Sequence, residues 1–244
     1  QKAQARLPGL DWNAVVAADA ALAEEKDPAK RIGVSASLPD FLVERLIAEY
    51  GDEAEALAHA LNQRPPLTVR ANTLKTSREN LLGALAEQGL QAHPTAFSSS
   101  GIEFETRTNV FALPEFSEGL LEVQDEASQL VAELVAPPPR GLVIDYCAGA
   151  GGKSLALGAL MRNTGRLAAV DIDQKKLAEF RRRARRAALA NARAIPLSQP
   201  DEWPPELAAF NGKAERVLVD VPCSGLGVLR RKPEMRWRLS PEEL

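Results

Sequence analysis

Cysteine is nearly absent from this chain: 244 residues hold two, Cys147 and Cys223. They stand in unrelated stretches without metal-ligand spacing. That excludes a disulfide framework and a zinc site and points to a reducing, cytoplasmic setting. Histidine is as scarce, and neither His59 nor His93 has a partner pattern around it. No apolar run approaches the ~20 residues of a membrane span, and the start lacks the charged-then-apolar layout of a signal peptide. A strong charge of one sign is missing as well. With a formal net charge of −3, any nucleic-acid binding must come from a local patch rather than the global field. What remains, 45% hydrophobic and 26% charged residues, is ordinary globular composition, long enough for one large domain or two smaller ones.

The stretch around which the chain is organised is Leu142–Ser154, LVIDYCAGAGGKS. Leu142-Val143-Ile144 reads as a buried parallel strand ending at Asp145. Gly149-Ala150-Gly151-Gly152 is a glycine-rich turn, and Lys153 opens an apolar helical run to Met161. Strand, turn and helix present backbone N–H groups and a helix N-terminus to an anionic or nucleotide-like ligand. Two ligand classes compete for the turn. As D-x-C-x-G-x-G it resembles the Asp-x-Gly-x-Gly-x-Gly turn of S-adenosylmethionine-dependent methyltransferases, with Cys147 in place of the first glycine. As C-x-x-x-x-G-K-S it misses a phosphate loop only at the first glycine, and Val217-Leu218-Val219-Asp220 could serve such a loop as its acidic strand.

The chain before this turn divides into two parts. Residues 1–66 read as helical: Asn13–Lys26, a Pro/Gly break, then Phe41–Tyr50 with one apolar face, and Glu53–Leu61. Residues 67–118 read as a small α/β subdomain, with strands Leu67–Ala71, Gly101–Phe104 and Val110–Leu113 and a helix Arg78–Gln88. A further helix is expected from Val123 to Val135, with Pro137-Pro138-Pro139 as linker. After the turn, strands Arg166–Val170, Ala192–Leu197 and Arg216–Asp220 alternate with a helix Lys175–Ala190, which implies a doubly wound parallel sheet over residues 119–244. Asp171 ends the second strand about 20 residues past the glycines, where an acid hydrogen-bonds ribose hydroxyls. Its bland alternative is a cap for the next helix. A phosphate loop has no need of an acid there, so Asp171 favours a nucleoside cofactor.

The fourth strand runs into Asp220-Val221-Pro222-Cys223-Ser224-Gly225-Leu226-Gly227. Ligands of such sheets sit beyond the strand C-termini, so this turn brings a carboxylate and a thiol towards a cofactor's reactive end. Methylating a pyrimidine carbon needs that equipment: a thiolate to activate the ring, an acid near ring nitrogen 3, and a base for the carbon-5 proton. With Asp145–Ser154 (DYCAGAGGKS) the turn resembles the Sun/Fmu-type RNA cytosine-5 methyltransferases, the family of bacterial RsmB. Leu38–Tyr50, Arg70–Leu90, Val123–Ser128 (VQDEAS) and Leu229–Leu244 fit that family's layout too. The resemblance implies a class I (Rossmann-like) methyltransferase domain, incomplete at its C-terminus. A helical segment and a small RNA-recognition-like α/β subdomain would precede it.

Carried over by position, Cys147, Ala148, Gly149, Ala150, Gly151, Gly152 and Lys153 would line the methionine and carboxylate end of S-adenosylmethionine, with Lys153 as carboxylate partner. Asp171 would hold the ribose, Asp201 would approach the adenine, and Asp220 would sit between cofactor and target base. Cys223 matches the family cysteine that helps to release the product. The nucleophile belongs to a Thr-Cys motif after a later strand and is expected beyond Leu244. A chain that begins at Gln1 and stops at a helix start, Ser240-Pro241-Glu242-Glu243, is expected to be a fragment.

Two basic runs suggest phosphate contact. Arg181-Arg182-Arg183 with Arg185-Arg186 reads equally as a solvated helix face. Arg230, Arg231, Lys232, Arg236, Trp237 and Arg238 follow Cys223 and include an aromatic able to stack on a base, so they are taken as RNA-binding. The expectation is an RNA cytosine-5 methyltransferase acting on ribosomal RNA, monomeric and free of metal and membrane. Its rivals are a phosphate-loop NTPase and a non-catalytic RNA-binding module, with a DNA methyltransferase behind them.

Overall fold

In the computed structural model, residues 11–199 and 202–243 are described. The chain divides into two compact units, Gln1–Pro65 with Cys223–Leu244, and Pro66–Pro222.

In the first unit, helices Trp12–Glu24, Pro28–Ala36, Asp40–Tyr50 and Ala54–Ala60 follow one another. The sequence suggests a break near Pro28; the structure has a helix there. Pro28 takes the first turn, where its missing N–H costs nothing, and the Asp27 side chain accepts from Ala29 N–H at 2.9 Å. Gly33 lies within this helix, where an added Cβ would stand 3.0 Å from Leu38 O and Asp40 Oδ1, so the position favours glycine. Ile32, Leu38, Leu42 and Val43 form the core, and Leu229 joins them fully buried. Residues 223–244 therefore belong with the N-terminal helices in this unit. They fold as 3₁₀ turns, including Pro241–Glu243 where a helix start was expected.

The second unit carries two four-stranded sheets. The first contains β1 (Leu67–Ala71), β2 (Ala92–Pro94), β3 (Gly101–Phe104) and β4 (Leu121–Val123) in the order β2-β3-β1-β4, all antiparallel. With helix Arg78–Glu87 after β1 this is ferredoxin-like connectivity. Ser77 caps that helix, its Oγ accepting from Asn80 N–H. The fourth strand is not Val110–Leu113, which forms a 3₁₀ turn at Val110–Ala112. β1 and β3 are already paired on both edges, so that apolar run takes no place inside the sheet. Val110 instead plugs the core while Phe111 stays exposed. β4 lies past residue 118 and takes up Val123, so the following helix starts at Glu126, capped by Asp125.

The second sheet is wholly parallel: β5 (Leu142–Asp145), β6 (Arg166–Asp171), β7 (Ala192–Pro196) and β8 (Arg216–Leu218), in the order β7-β6-β5-β8. Counted from β5 this is 3-2-1-4, the order that puts a ligand crevice beside the first strand's C-terminus. Helices Gly152–Leu160 and Gln174–Arg186 make the crossovers. Among the described residues β8 is an edge strand, and Val217 in it and Val219 and Val221 just after it are more than half exposed. No helix among the described residues is long and apolar enough to cross a membrane.

Candidate functional site

β5 delivers Asp145 to the sheet's C-terminal end, and the chain then turns through Tyr146–Gly151 into the Gly152–Leu160 helix. Two glycines make the turn possible. Gly149 (φ +55°) and Gly151 (φ +81°) occupy the left-handed region, which costs a Cβ-bearing residue about 1–2 kcal/mol. Gly151 also lies so close to the buried Phe180 ring that a Cβ there would overlap it. At Gly149 and Gly152, by contrast, an added Cβ would meet nothing nearer than 4.0 Å. The backbone there is open to a ligand, and the helix's first amides precede its first internal bond, Leu155 N–H to Gly151 O.

The acids around this turn have distinct tasks. Asp171, at the end of β6, accepts from Gly149 N–H through Oδ2 (2.7 Å) and from Asp173 N–H through Oδ1 (2.8 Å). It does not cap the next helix; Asp173 does, accepting from Lys175 and Lys176 N–H. Asp220 follows β8 and accepts from Lys153 Nζ at 2.5 Å. Asp145 is 1% exposed. It accepts from Ser154 Oγ–H through Oδ2 at 2.6 Å, and its Oδ1 is buried without a partner. Burial, opposed by the Ser154 hydrogen bond, pushes its pKa up to about 6. Sequence reading took Asp145 only as a strand end. Its signal, an acid closing an apolar strand, does not say which way the side chain points.

An open cleft of about 280 Å³ lies over the turn. It gathers Cys147, Ala148, Gly152, Lys153 and Asp220 from the expected set, and adds Asp145, Gln124 and Arg183. Gly149 and Gly151 are held at its edge by Asp171 and against Phe180, and Ala150 O accepts from Arg183 Nη1 at 2.9 Å. Burial, helped by Asp171, Asp145 and Asp220, raises the Cys147 thiol above its usual range. Cys147 is thereby kept neutral and unsuited to attack. Asp201 lies outside the described residues. Ser154 turns its buried hydroxyl onto Asp145, whereas a phosphate loop presents that hydroxyl to magnesium.

Cys223 is the first residue of the other unit and is exposed. The basic residues after it divide. Arg236 is 4% exposed and donates through Nη1 to Ala36 O, Ser37 O and Asn62 Oδ1. It ties its unit together and offers no free face to phosphate, which corrects its place among the RNA contacts. Arg230 donates to Gln63 O and Arg64 O. Arg231, Lys232, Trp237 and Arg238 are exposed. In the earlier run, Arg183 and Arg186 both bind the buried Glu122, and Arg182 pairs with Glu179. That run is neither a plain solvated face nor a phosphate comb.

Comparison with known proteins agrees with this geometry. Residues 38–111 match the ferredoxin-like domain of RsmF/B-like methyltransferases, and residues 132–244 match the model for 16S rRNA methyltransferase RsmB/F. The chain is 33% identical over 207 residues to ribosomal RNA small subunit methyltransferase B of Proteus mirabilis, covering 84% of this chain and 48% of that protein. It is 37% identical over 215 residues to the probable counterpart in Synechocystis, covering 86% and 47%. It thus spans about half the length of these curated relatives. Among solved structures, a methyltransferase homolog protein from Pyrococcus horikoshii superposes with a TM-score of 0.73 at 26% identity, over 84% of this chain and 66% of that one.

Proposed function

The chain belongs to the RsmB/F family of 16S rRNA methyltransferases, and from that premise we propose that it holds the cofactor site of an enzyme methylating carbon 5 of a cytidine in ribosomal RNA. S-adenosylmethionine is the cofactor. The residues present suit it: an open glycine backbone and Lys153 for a carboxylate, buried acceptors for an ammonium, and a second-strand acid for ribose hydroxyls. Asp171 spends one lone pair of each oxygen on backbone N–H groups and keeps others for the ribose. Lys153 has three donors, so its bond to Asp220 leaves donors for the cofactor's carboxylate.

Bound in this cleft, the cofactor supplies an electrophilic methyl group. The observation that carries the reading is the Lys153–Asp220 pair, which fixes a carboxylate beside the glycine turn at the sheet's C-terminal end. Asp220 stabilises an attacked pyrimidine by a hydrogen bond at ring nitrogen 3. The family's Thr-Cys nucleophile has no counterpart in these residues, and Cys223 takes the product-releasing role.

Two measurements test the reading. Isothermal titration should show S-adenosylmethionine binding that Lys153→Ala weakens about 10-fold or more. Binding of magnesium ATP in its place would overturn the cofactor. RNA carrying 5-fluorocytidine retains an attacking cysteine, because fluorine blocks release. We expect no adduct on Cys223, and an adduct mapped there by mass spectrometry would make Cys223 the nucleophile.

A further inference from the structure

Two carbonyls of the glycine turn, Ala150 O and Gly152 O, accept hydrogen bonds from side chains. Gln124, which follows β4, donates through Nε2 to Gly152 O at 3.3 Å, while its Oε1 accepts from Arg70 Nε at 2.8 Å. Arg183 donates to Ala150 O at 2.9 Å and is bound by Glu122 of β4 at 3.0 Å. Both routes start on one face of the small sheet, where Arg70 pairs with Glu122 across β1 and β4. Arg70 and Glu122 of the sheet and Gln124 just after it are buried: Arg70 is 4%, Glu122 2% and Gln124 7% exposed. A turn rich in glycine loses much backbone freedom when it is fixed. A turn held in place before the ligand arrives spares that cost at binding.

We infer that Gln124 and Arg183 are positioning residues that pass the docking of the small ferredoxin-like sheet on to the glycine turn, so that affinity for S-adenosylmethionine depends on that sheet. The inference rests on the cofactor reading above. It makes the small subdomain part of the cofactor site, with Gln124 and Arg183 at the cleft wall behind the turn. Arg70 acts through Gln124, and Glu122 through Arg183.

Cofactor affinity measured on this chain, below the melting transition of each variant, tests it. Gln124→Met and Arg183→Met keep side-chain volume and remove the donors to the turn; each should weaken the dissociation constant about 10-fold. Arg183→Lys, which keeps one charged donor, should recover part of the loss. The control is Asn72→Ala. Asn72 Nδ2 joins the same two sheets' surroundings through Gly119 O and Ala187 O but does not touch the turn. It should lower the melting temperature and leave the dissociation constant unchanged. Equal loss of affinity in Asn72→Ala, or wild-type affinity in both methionine variants, overturns the inference. No binding by the wild type strikes the cofactor reading itself and takes the inference with it.

Discussion

Asp145 shows how one residue couples site and stability. Its carboxylate is buried with one oxygen unpartnered, and its pKa stands at about 6 against an ordinary 3.8. A raised pKa means that the folded state binds the proton more tightly. The benefit is full below about pH 4 and is lost as pH climbs through about 6. Asp145→Asn removes the titration. Relative to that variant, the wild type should lose roughly 2–3 kcal/mol of stability between pH 4 and pH 7, read by urea unfolding at a series of pH values. A difference that stays constant with pH would show that Asp145 has an ordinary pKa. Arg236 makes the same point about position: its charge, which reads as an RNA contact in sequence, serves three internal acceptors.

At the scale of the element, the strand-turn-helix from β5 to Leu160 works because its glycines differ. Gly149 is open for a ligand, whereas Gly151 is closed by Phe180 of the Gln174–Arg186 helix. Gly151→Ala must strain φ at +81° and displace that ring. It should cost about 2–4 kcal/mol in unfolding free energy and abolish cofactor binding, checked by urea titration and calorimetry. The two helices that flank the turn differ as well. The one beginning at Gly152 has no side-chain cap and leaves its first amides to the cleft, while the one after β6 is capped by Asp173.

Across the whole molecule, the small sheet has spent the face that an RNA-recognition domain uses to stack bases. Thr68, Arg70 and Glu122 on that face are all less than 5% exposed, covered by helix Glu126–Val135 through Gln129 and by Arg183 and Arg186. RNA contact is therefore expected elsewhere, on the exposed Lys232, Trp237 and Arg238. Lys232→Ala and Arg238→Ala should each weaken RNA binding and lower the slope of log affinity against log salt by about 0.7–0.9. Arg236→Ala should instead lower the melting temperature and leave that slope unchanged. A wild-type slope in both Lys232→Ala and Arg238→Ala would remove the basic stretch from the RNA interface.

The sequence by itself determined the parallel sheet, the glycine turn and Asp171 as the second-strand acid, because hydrophobic period, glycine spacing and strand-end position are local signals. The small sheet's first and third strands, Leu67–Ala71 and Gly101–Phe104, were legible for the same reason. Only the tertiary structure decided the rest. Val110–Leu113 has the composition of a strand but forms a 3₁₀ turn over Val110–Ala112, and Leu121–Val123 pairs with β1 instead. Which arginines meet water and which meet Glu122, Ala150 O or Ala36 O depends on neighbours more than 30 residues away. A charge carries no local mark of the partner it will find, since pairing is decided by where the chain returns in space.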